Sequence, residues 1–232
     1  MELKIIYEDK DLLVVDKPAG MPVFKEGNIS EKTLADYLIE KHPELKKNEA
    51  PRYGIAHRLD KDTSGVLLVA KSPEALIFFQ KQFKNRTIQK KYLALVVGKI
   101  KDEKGVIETL IGRSPRDPKK QKAFFVGEPG SFGKRQAITE YKIAQDFEDY
   151  TLLEVIPKTG RKHQIRCHLA YIHHPIAGDK LYGFKNQPAP KGLGRQFLHA
   201  SYLKIKLPSG QEKGFESPMP EDLSKIIKNL KI

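Results

Sequence analysis

Short apolar runs bounded by glycine, proline or charged residues dominate the pattern of the chain, and such runs predict strands. The sequences DLLVVDKPAG (11–20) and GVLLVAK (65–71) each contain one buried strand by this criterion. Four further strand-like runs occupy the middle of the chain, KKYLALVVGKI, KGVIETLIG, RQAITEYKIAQ and YTLLEVIPKTG. Towards the C-terminus, RQFLHASYLKIKL and QEKGFESP flank a Pro-Ser-Gly turn, which predicts a hairpin.

Apolar residues at helical spacing predict four helices between these strands. The first is expected over Ser30–Lys46, with Ser30 as its N-cap. The second follows Ser72 and Pro73, which suit the cap and the first turn. The third lies in GRKHQIRCHLAYIHHP (160–175), where Thr159 is the candidate cap. The amphipathic segment MPEDLSKIIKNL predicts a closing helix.

The order and number of these elements favour one fold class. Strands outnumber helices and are often joined by short turns, so an α+β fold is preferred over a doubly wound one. We expect a mixed, mostly antiparallel sheet flanked by helices. With no linker, repeat or low-complexity tract, residues 1–232 are expected to form a single domain, and we predict a monomer.

The charge balance indicates a polyanionic partner. Lys and Arg number 42 against 29 Asp and Glu, which gives a formal net charge of +13 and a pI of about 9.6. A surplus of this size on a small protein favours nucleic acid, and the alternative is a basic surface that serves only solubility. Residues 112–136 carry seven Lys and Arg against two acids among several Pro and Gly, so an exposed loop or long hairpin is predicted there as an RNA-docking surface.

Several other classes of protein are disfavoured. The apolar runs are too short to span a membrane and the N-terminus lacks a signal-peptide core, so a cytoplasmic protein is expected. A single cysteine, Cys167, excludes an internal disulfide and any multi-cysteine zinc site. The seven histidines form no pair at metal-binding spacing, and GEPGSFGKR does not fit a phosphate-binding loop. We therefore predict no metal and no cofactor.

The segment HRLDKDTSG (57–65) is the strongest candidate for chemistry. Asp60 lies between Arg58 and Lys61 beside a hydrophobic strand, and the two cations favour its ionised form. An ionised carboxylate suits a nucleophile or a charge stabiliser better than a general acid. The alternative is an ordinary turn aspartate, which is the preferred interpretation of Asp62.

Taken together, HRLDKDTSGVLLVAK, KKYLALVVGKI, KTGRKHQIRCHLAYIHHPIAGDKLYG and RQFLHA resemble, in this order and spacing, the RluA family of pseudouridine synthases. The likeness extends from IIYEDKDLLVVDKPAGMPV to FESPMPEDL and so covers most of the chain. The resemblance implies an RNA-modifying isomerase that converts selected uridines of ribosomal or transfer RNA to pseudouridine without a cofactor. It also implies that the target nucleotide is flipped out of its stack.

Roles for particular residues come from the same resemblance. Asp60 is implied to be the nucleophile or base, and Arg166 is implied to pair with it. Tyr92 is implied to stack on the uracil and is a candidate to take a proton from the ribose. Leu198 is implied to pack against the base, and Arg58 to help displace the nucleotide. The other residues of these motifs expected to bind substrate are His57, Leu59, Thr63, Arg161 and His163.

Two rival functions and two departures from the family accompany this hypothesis. A non-catalytic RNA-binding protein would keep its function without Asp60. The other rival is a different Asp-dependent enzyme that acts on nucleosides or glycosides, and a retaining glycosidase would need a second carboxylate about 5 Å away. Few residues precede the first motif, so the domain is expected to find RNA without an added N-terminal S4 module. His173 stands where the family usually has glycine at the helix end, so a differently shaped helix end is expected.

Overall fold

A computed structural model describes residues 3–25 and 30–231. Within them the secondary structure runs β1 (Lys4–Glu8), β2 (Leu12–Lys17), α1 (Leu34–Lys41), a 3₁₀ helix (Pro43–Lys47), β3 (Ser64–Ala70), α2 (Pro73–Asn85), β4 (Gln89–Val97), β5 (Lys104–Arg113), β6 (Gln121–Phe124), β7 (Arg135–Asp146), β8 (Tyr150–Pro157), α3 (Gln164–Tyr171), β9 (Leu198–Lys206), β10 (Glu212–Glu216) and α4 (Glu221–Asn229). The predicted α+β class with a mixed, mostly antiparallel sheet is confirmed.

The contacts divide the chain into two units. Unit 1 comprises Met1–Gln89 and Ala200–Pro218, and unit 2 comprises Lys90–His199 and Met219–Ile232. Each unit has its own apolar core. The single domain over residues 1–232 stays a prediction. None of the helices in the described ranges has the length and apolar character needed to cross a membrane.

Unit 1 is built on the strand order β1, β2, β3, β9 and β10. β2 pairs antiparallel with β3 from Leu12 opposite Ala70 to Lys17 opposite Gly65. Nearly every residue of both strands is buried, which explains why the sequence shows continuous apolar runs here rather than alternation. Gly65 has a φ of +119°, and a Cβ there would meet the Ala200 carbonyl at 2.1 Å, so only glycine fits the start of β3.

Unit 2 holds the antiparallel order β4, β8, β7, β5 and β6. Helices α3 and α4 pack on this sheet through Leu169 and Leu223, both fully buried. The four predicted mid-chain strands are all present as β4, β5, β7 and β8. The predicted C-terminal hairpin, formed by β9 and β10, and the predicted closing helix α4 are present as well.

The first predicted helix is shorter than expected, and its cap is different. α1 begins at Leu34 with Thr33 as N-cap, and Ser30 lies outside it. Thr33 Oγ1 accepts from the Asp36 N–H at 3.2 Å, and Asp36 Oδ2 accepts from the Thr33 N–H at 3.0 Å, which is a capping box. The α-helix ends before Pro43, which disfavours helical geometry in the residue before it, and the chain continues as the 3₁₀ helix.

The other two internal helices differ in how well they were predicted. Ser72 caps α2 as expected, since its Oγ accepts from the Ala75 N–H at 3.2 Å. Thr159 does not cap α3, so that prediction is wrong. Its hydroxyl instead donates to Gln164 Oε1 at 2.7 Å and accepts from the Ile138 N–H at 3.0 Å.

The end of α3 keeps the left-handed shape that glycine usually provides. His173 has a φ of +66°. Its N–H donates to the Ala170 carbonyl at 3.1 Å, and the His174 N–H donates to the Leu169 carbonyl at 3.0 Å. These two bonds form a Schellman motif, so the expected difference in helix shape is absent. The strain of a non-glycine residue there is about 1 kcal/mol.

A buried histidine lies under α3 and makes stability dependent on pH. His168 is fully buried, with Nε2 3.0 Å from Thr109 Oγ1 and Nδ1 2.9 Å from Thr139 Oγ1. Burial lowers its pKa to about 4. His168 therefore binds a proton near pH 6.5 in the unfolded chain but only near pH 4 in the folded chain.

We expect the free energy of unfolding to fall by about 3 kcal/mol from this group as the pH drops from 6.5 to 4. Urea unfolding at a series of pH values measures this slope. A His168→Gln variant should be less stable at neutral pH and should lose less stability in acid than the wild type. Equal slopes for the two proteins would contradict the assignment.

Candidate functional site

The HRLDKDTSG segment is anchored to β3 on its N-terminal side. The Ala56 N–H donates to the Leu68 carbonyl at 3.2 Å. His57 Nε2 accepts from the Leu68 N–H at 3.1 Å, which places the ring proton on Nδ1, and the ring stacks on Phe83 at a centroid distance of 4.7 Å. His57 therefore fixes the segment, and its role in substrate binding stays a prediction.

The turn that carries Asp60 is held by a buried ammonium. The Thr63 N–H donates to the Asp60 carbonyl at 3.1 Å, which closes the turn. The Lys61 carbonyl accepts from Lys17 Nζ at 3.0 Å, and Lys17 has no exposed surface. The same Nζ also donates to the carbonyls of Pro18 (2.7 Å) and Met21 (2.9 Å). A charged donor shared by three carbonyls fixes the loop after β2 to the backbone that presents Asp60.

The other predicted residues of this segment differ in exposure. Arg58 is exposed, and its guanidinium lies 5.2 Å from the centre of the Phe24 ring, a cation–π distance. Leu59 and Thr63 are buried. Asp60 itself is half-buried. Within unit 1 the segment therefore combines a partly accessible carboxylate with an exposed cation seated on an aromatic ring.

In unit 2, Tyr92 lies on β4 opposite Val155 and is half-buried at the margin of the core. Lys90 is two residues earlier and so projects from the same face of the strand. Its amine lies near Gly160, and burial lowers its pKa to about 8. Leu198, at the start of β9, is buried in the core of unit 2.

Arg166 is buried on α3 and forms a bidentate ion pair with Asp179. Nε donates to Oδ2 at 2.7 Å and Nη2 donates to Oδ1 at 2.9 Å. Its burial shows that Arg166 is not a cation of the helix surface. The pair uses two of the five guanidinium N–H groups. The pairing of Arg166 with Asp60 stays a prediction.

Asp179 is ionised despite its burial. Burial alone would raise its pKa, but the hydrogen bonds and charge of Arg166 hold the pKa below its usual value. The N–H groups of Tyr182 (3.0 Å) and Leu181 (2.9 Å) also donate to Oδ1 and add to this effect. A buried carboxylate with this many donors fixes the plane of the guanidinium.

The N-terminal end of α3 is fixed by a buried amide. Gln164 Oε1 accepts from the Arg161 N–H at 2.9 Å, and its Nε2 donates to the Ile138 carbonyl at 3.0 Å. Arg161 Nε donates to the Gln136 carbonyl at 3.0 Å. His163 adopts a left-handed conformation just before the helix, with Nδ1 3.0 Å from the Tyr182 hydroxyl. The predicted residues Arg161, His163 and Arg166 therefore lie on one rigid segment of unit 2.

Residues 112–136, here called the basic hairpin, contain a strand that the sequence did not predict. β6 pairs with β5 from Leu110 opposite Phe124 to Arg113 opposite Gln121. A hairpin is therefore present where β5 pairs with β6, whereas residues 125–134 form a connection outside any strand. The role of residues 112–136 in docking RNA stays a prediction. The segment that joins β6 to β7 exposes three apolar side chains to solvent, Phe125 (65%), Val126 (86%) and Phe132 (99%).

Sequence analysis gave no role to Lys17, Lys90, Asp179 or Tyr182. Lys17 lies in the motif DKPAG, and Asp179 and Tyr182 lie in the motif GDKLYG. Among residues 3–25 and 30–231, no three His, Cys, Asp or Glu side chains group to hold a metal ion.

Comparison with known proteins places the chain in a family. Residues 11–171, which include Asp60, Tyr92 and Arg166, match the model of the RNA pseudouridylate synthase family. The ribosomal large subunit pseudouridine synthase D of Nitrosomonas europaea is 40% identical over 99% of this chain, which covers 65% of that protein. The uncharacterized RNA pseudouridine synthase YlyB of Bacillus subtilis is 40% identical over 100% of this chain, which covers 74% of that protein.

Solved structures agree with the sequence relatives. Human RNA pseudouridylate synthase domain containing 1 superposes with a TM-score of 0.77 at 28% identity, over 94% of this chain and 84% of the human one. Human RNA pseudouridylate synthase domain containing 4 gives a TM-score of 0.76 at 27% identity, over 99% and 94%. The chain belongs to the RNA pseudouridylate synthase family, which confirms the resemblance to the RluA group drawn from its motifs.

Proposed function

We propose that this chain converts uridine to pseudouridine in RNA, with Asp60 as the nucleophile. The observation that carries the proposal is that residues 11–171, the span matched to the family, contain Asp60 on the turn that Lys17 holds in unit 1 and the ion-paired Arg166 in unit 2. Relatives named as large-subunit pseudouridine synthases favour ribosomal RNA over transfer RNA as the substrate.

The reaction is an isomerisation, so atoms and charge must balance within the uridine. The N1–C1′ bond breaks, the uracil turns, and a C5–C1′ bond forms. The hydrogen on C5 leaves to solvent, and a proton from solvent is placed on N1. The Asp60 carboxylate attacks C1′ as the uracil departs, and this step requires the carboxylate to be ionised. The Asp60–C1′ bond breaks when C5 attacks C1′, so the free carboxylate is regenerated. No cofactor is consumed in this balance.

The other residues serve binding and orientation. A uridine must leave its stack before the ribose can be reached, which costs a few kcal/mol. Tyr92 and Leu198 are proposed to contact the uracil, and Arg58 to help displace the nucleotide. Arg166, whose plane is fixed by Asp179, is proposed to hold the Asp60 carboxylate. His57, Leu59, Thr63, Arg161 and His163 complete the proposed substrate contacts.

The basic hairpin is proposed to dock the RNA. An aromatic ring that is 99% exposed, as Phe132 is, offers a face for base stacking, and the neighbouring Lys and Arg offer charge to phosphates. The monomeric state and the cytoplasmic location predicted from the sequence are part of the same proposal.

The hairpin hypothesis predicts that Phe132→Ala weakens RNA binding by at least about fivefold, because stacking on one base contributes roughly 1–3 kcal/mol. Stability should not change, since the side chain is exposed. Filter binding at fixed salt and thermal unfolding measure the two effects. The matched control is Val106→Ala, an exposed apolar residue on β5 outside the hairpin, which should bind RNA as the wild type does. Equal affinity of Phe132→Ala and wild type would remove the ring from the docking surface.

The proposed reaction is tested with transcripts of ribosomal and transfer RNA that carry tritium at uracil C5. Formation of the C5–C1′ bond must expel that tritium into water. We expect release from a ribosomal transcript. Binding without release from any transcript would support the rival, non-catalytic function.

A further inference from the structure

The strand β6 of the basic hairpin is tied to the loop that holds Arg166 through one side chain, Tyr182. The Tyr182 hydroxyl accepts from the N–H of Gln121, the first residue of β6, at 2.7 Å. On the other side of the same residue, Cys167 Sγ lies 3.6 Å from the Gln121 carbonyl and donates to it. Both backbone polar groups of Gln121 are therefore held from outside the hairpin.

The ring of Tyr182 makes a different contact from its hydroxyl. The Arg166 guanidinium lies 5.1 Å from the ring centre, within cation–π range. The Tyr182 N–H donates to the Asp179 oxygen that also accepts from Arg166 Nη2. The ring and the backbone of Tyr182 thus help to fix Arg166, whereas its hydroxyl contacts β6 and His163 Nδ1.

We propose that Tyr182 is a positioning residue that joins the basic hairpin to Arg166, so that RNA held by the hairpin is in register with the catalytic arginine. This inference rests on the proposed function and adds a residue to it. Tyr182 also packs against the small apolar cluster of Ile111, Ala123, Ala137 and Cys167, so its side chain has little freedom to move independently. A displacement of β6 would therefore shift the Tyr182 ring that contacts the Arg166 guanidinium.

The two halves of the side chain can be removed separately. Tyr182→Phe keeps the ring but removes the hydroxyl and its contacts with the Gln121 N–H and His163 Nδ1. The KM for RNA should rise by at least about fivefold from loss of the bond to β6, while kcat stays within about twofold of wild type. Tyr182→Leu also removes the platform beneath Arg166, and kcat should fall by about tenfold in addition.

A direct structural readout accompanies the kinetics. Amide hydrogen exchange at Gln121 should be faster in Tyr182→Phe than in wild type, because that N–H loses its acceptor. Tyr150→Phe, at the start of β8 in the same unit, is the matched control and should change neither KM nor the exchange at Gln121. Thermal unfolding of all variants checks that the fold is retained.

A double variant tests whether the hydroxyl acts through the hairpin. In the Phe132→Ala background, Tyr182→Phe should raise KM by less than it does in wild type, since the hairpin has already lost part of its hold on RNA. Fully additive effects would show that the hydroxyl acts through His163 and not through the hairpin, which would overturn the proposal. Unchanged KM and unchanged exchange in Tyr182→Phe would overturn it as well. If the wild type itself makes no pseudouridine, the proposed function fails, whereas the exchange result still reports on the link to β6.

Discussion

Asp60→Asn is expected to abolish pseudouridine formation while RNA binding is retained. Asparagine has the shape of aspartate but lacks the negative charge and the nucleophilic oxygen, so the step at C1′ has no carboxylate to perform it. The loss should exceed about a thousandfold in single-turnover rate, as for the removal of a nucleophile. The Thr63 N–H bond to the Asp60 carbonyl and the Lys17 bond to the Lys61 carbonyl both hold the backbone of the turn, so the Asn variant should keep the loop geometry.

Asp62→Asn is the matched control for this prediction. It makes the same chemical change two residues away in the same turn. We expect near wild-type rates for Asp62→Asn and wild-type affinity for both variants, measured on one RNA at one salt concentration. Should the two variants lose activity equally, the assignment of the nucleophile to Asp60 would be wrong.

Arg166→Lys is expected to reduce activity by roughly a hundredfold, although the charge is conserved. A lysine cannot reproduce the two parallel bonds to Asp179, so the position of its charge is no longer fixed. The variant should also be less stable, because the buried Asp179 carboxylate loses a donor. Single-turnover rates and urea unfolding measure the two effects.

The control for the arginine prediction is Arg86→Lys. Arg86 is exposed at the end of α2, and the same substitution there should change neither rate nor stability by a measurable amount. Asp179→Asn gives a second check, because it leaves Arg166 in place but removes its charged partner. We expect its rate to lie between that of Arg166→Lys and that of wild type. Full activity of Arg166→Lys would remove the arginine from the mechanism.

The sequence predicted those parts of the fold that depend on local pattern. β2 and β3 were found because continuous apolar runs indicate strands buried on both faces. The cap of α1 was misplaced, although the correct signal was present, since Asp36 stands three residues after Thr33 and completes a capping box. β6 was missed because QKAF has no alternating pattern, and its strand geometry comes from pairing with β5.

The sequence predicted a site residue only where the residue's chemical role could be argued from its immediate neighbours in the chain. Asp60 stands among charges in a short segment, so its candidacy could be argued locally. Asp179 lies 13 residues from Arg166, and its burial against that guanidinium depends on how α3 and the following loop fold together. Lys17 follows a buried strand, a position where lysine usually reaches solvent, and only the folded loop shows that its ammonium is enclosed by three carbonyls.

The most direct test of the central claim is to measure pseudouridine itself. C5-tritiated ribosomal RNA is incubated with wild type and with Asp60→Asn, digested to nucleosides, and separated by chromatography while released tritium is counted. We predict that wild type produces pseudouridine in an amount equal to the tritium released and that Asp60→Asn produces neither. Tritium release without pseudouridine, or equal pseudouridine from both proteins, would contradict the account.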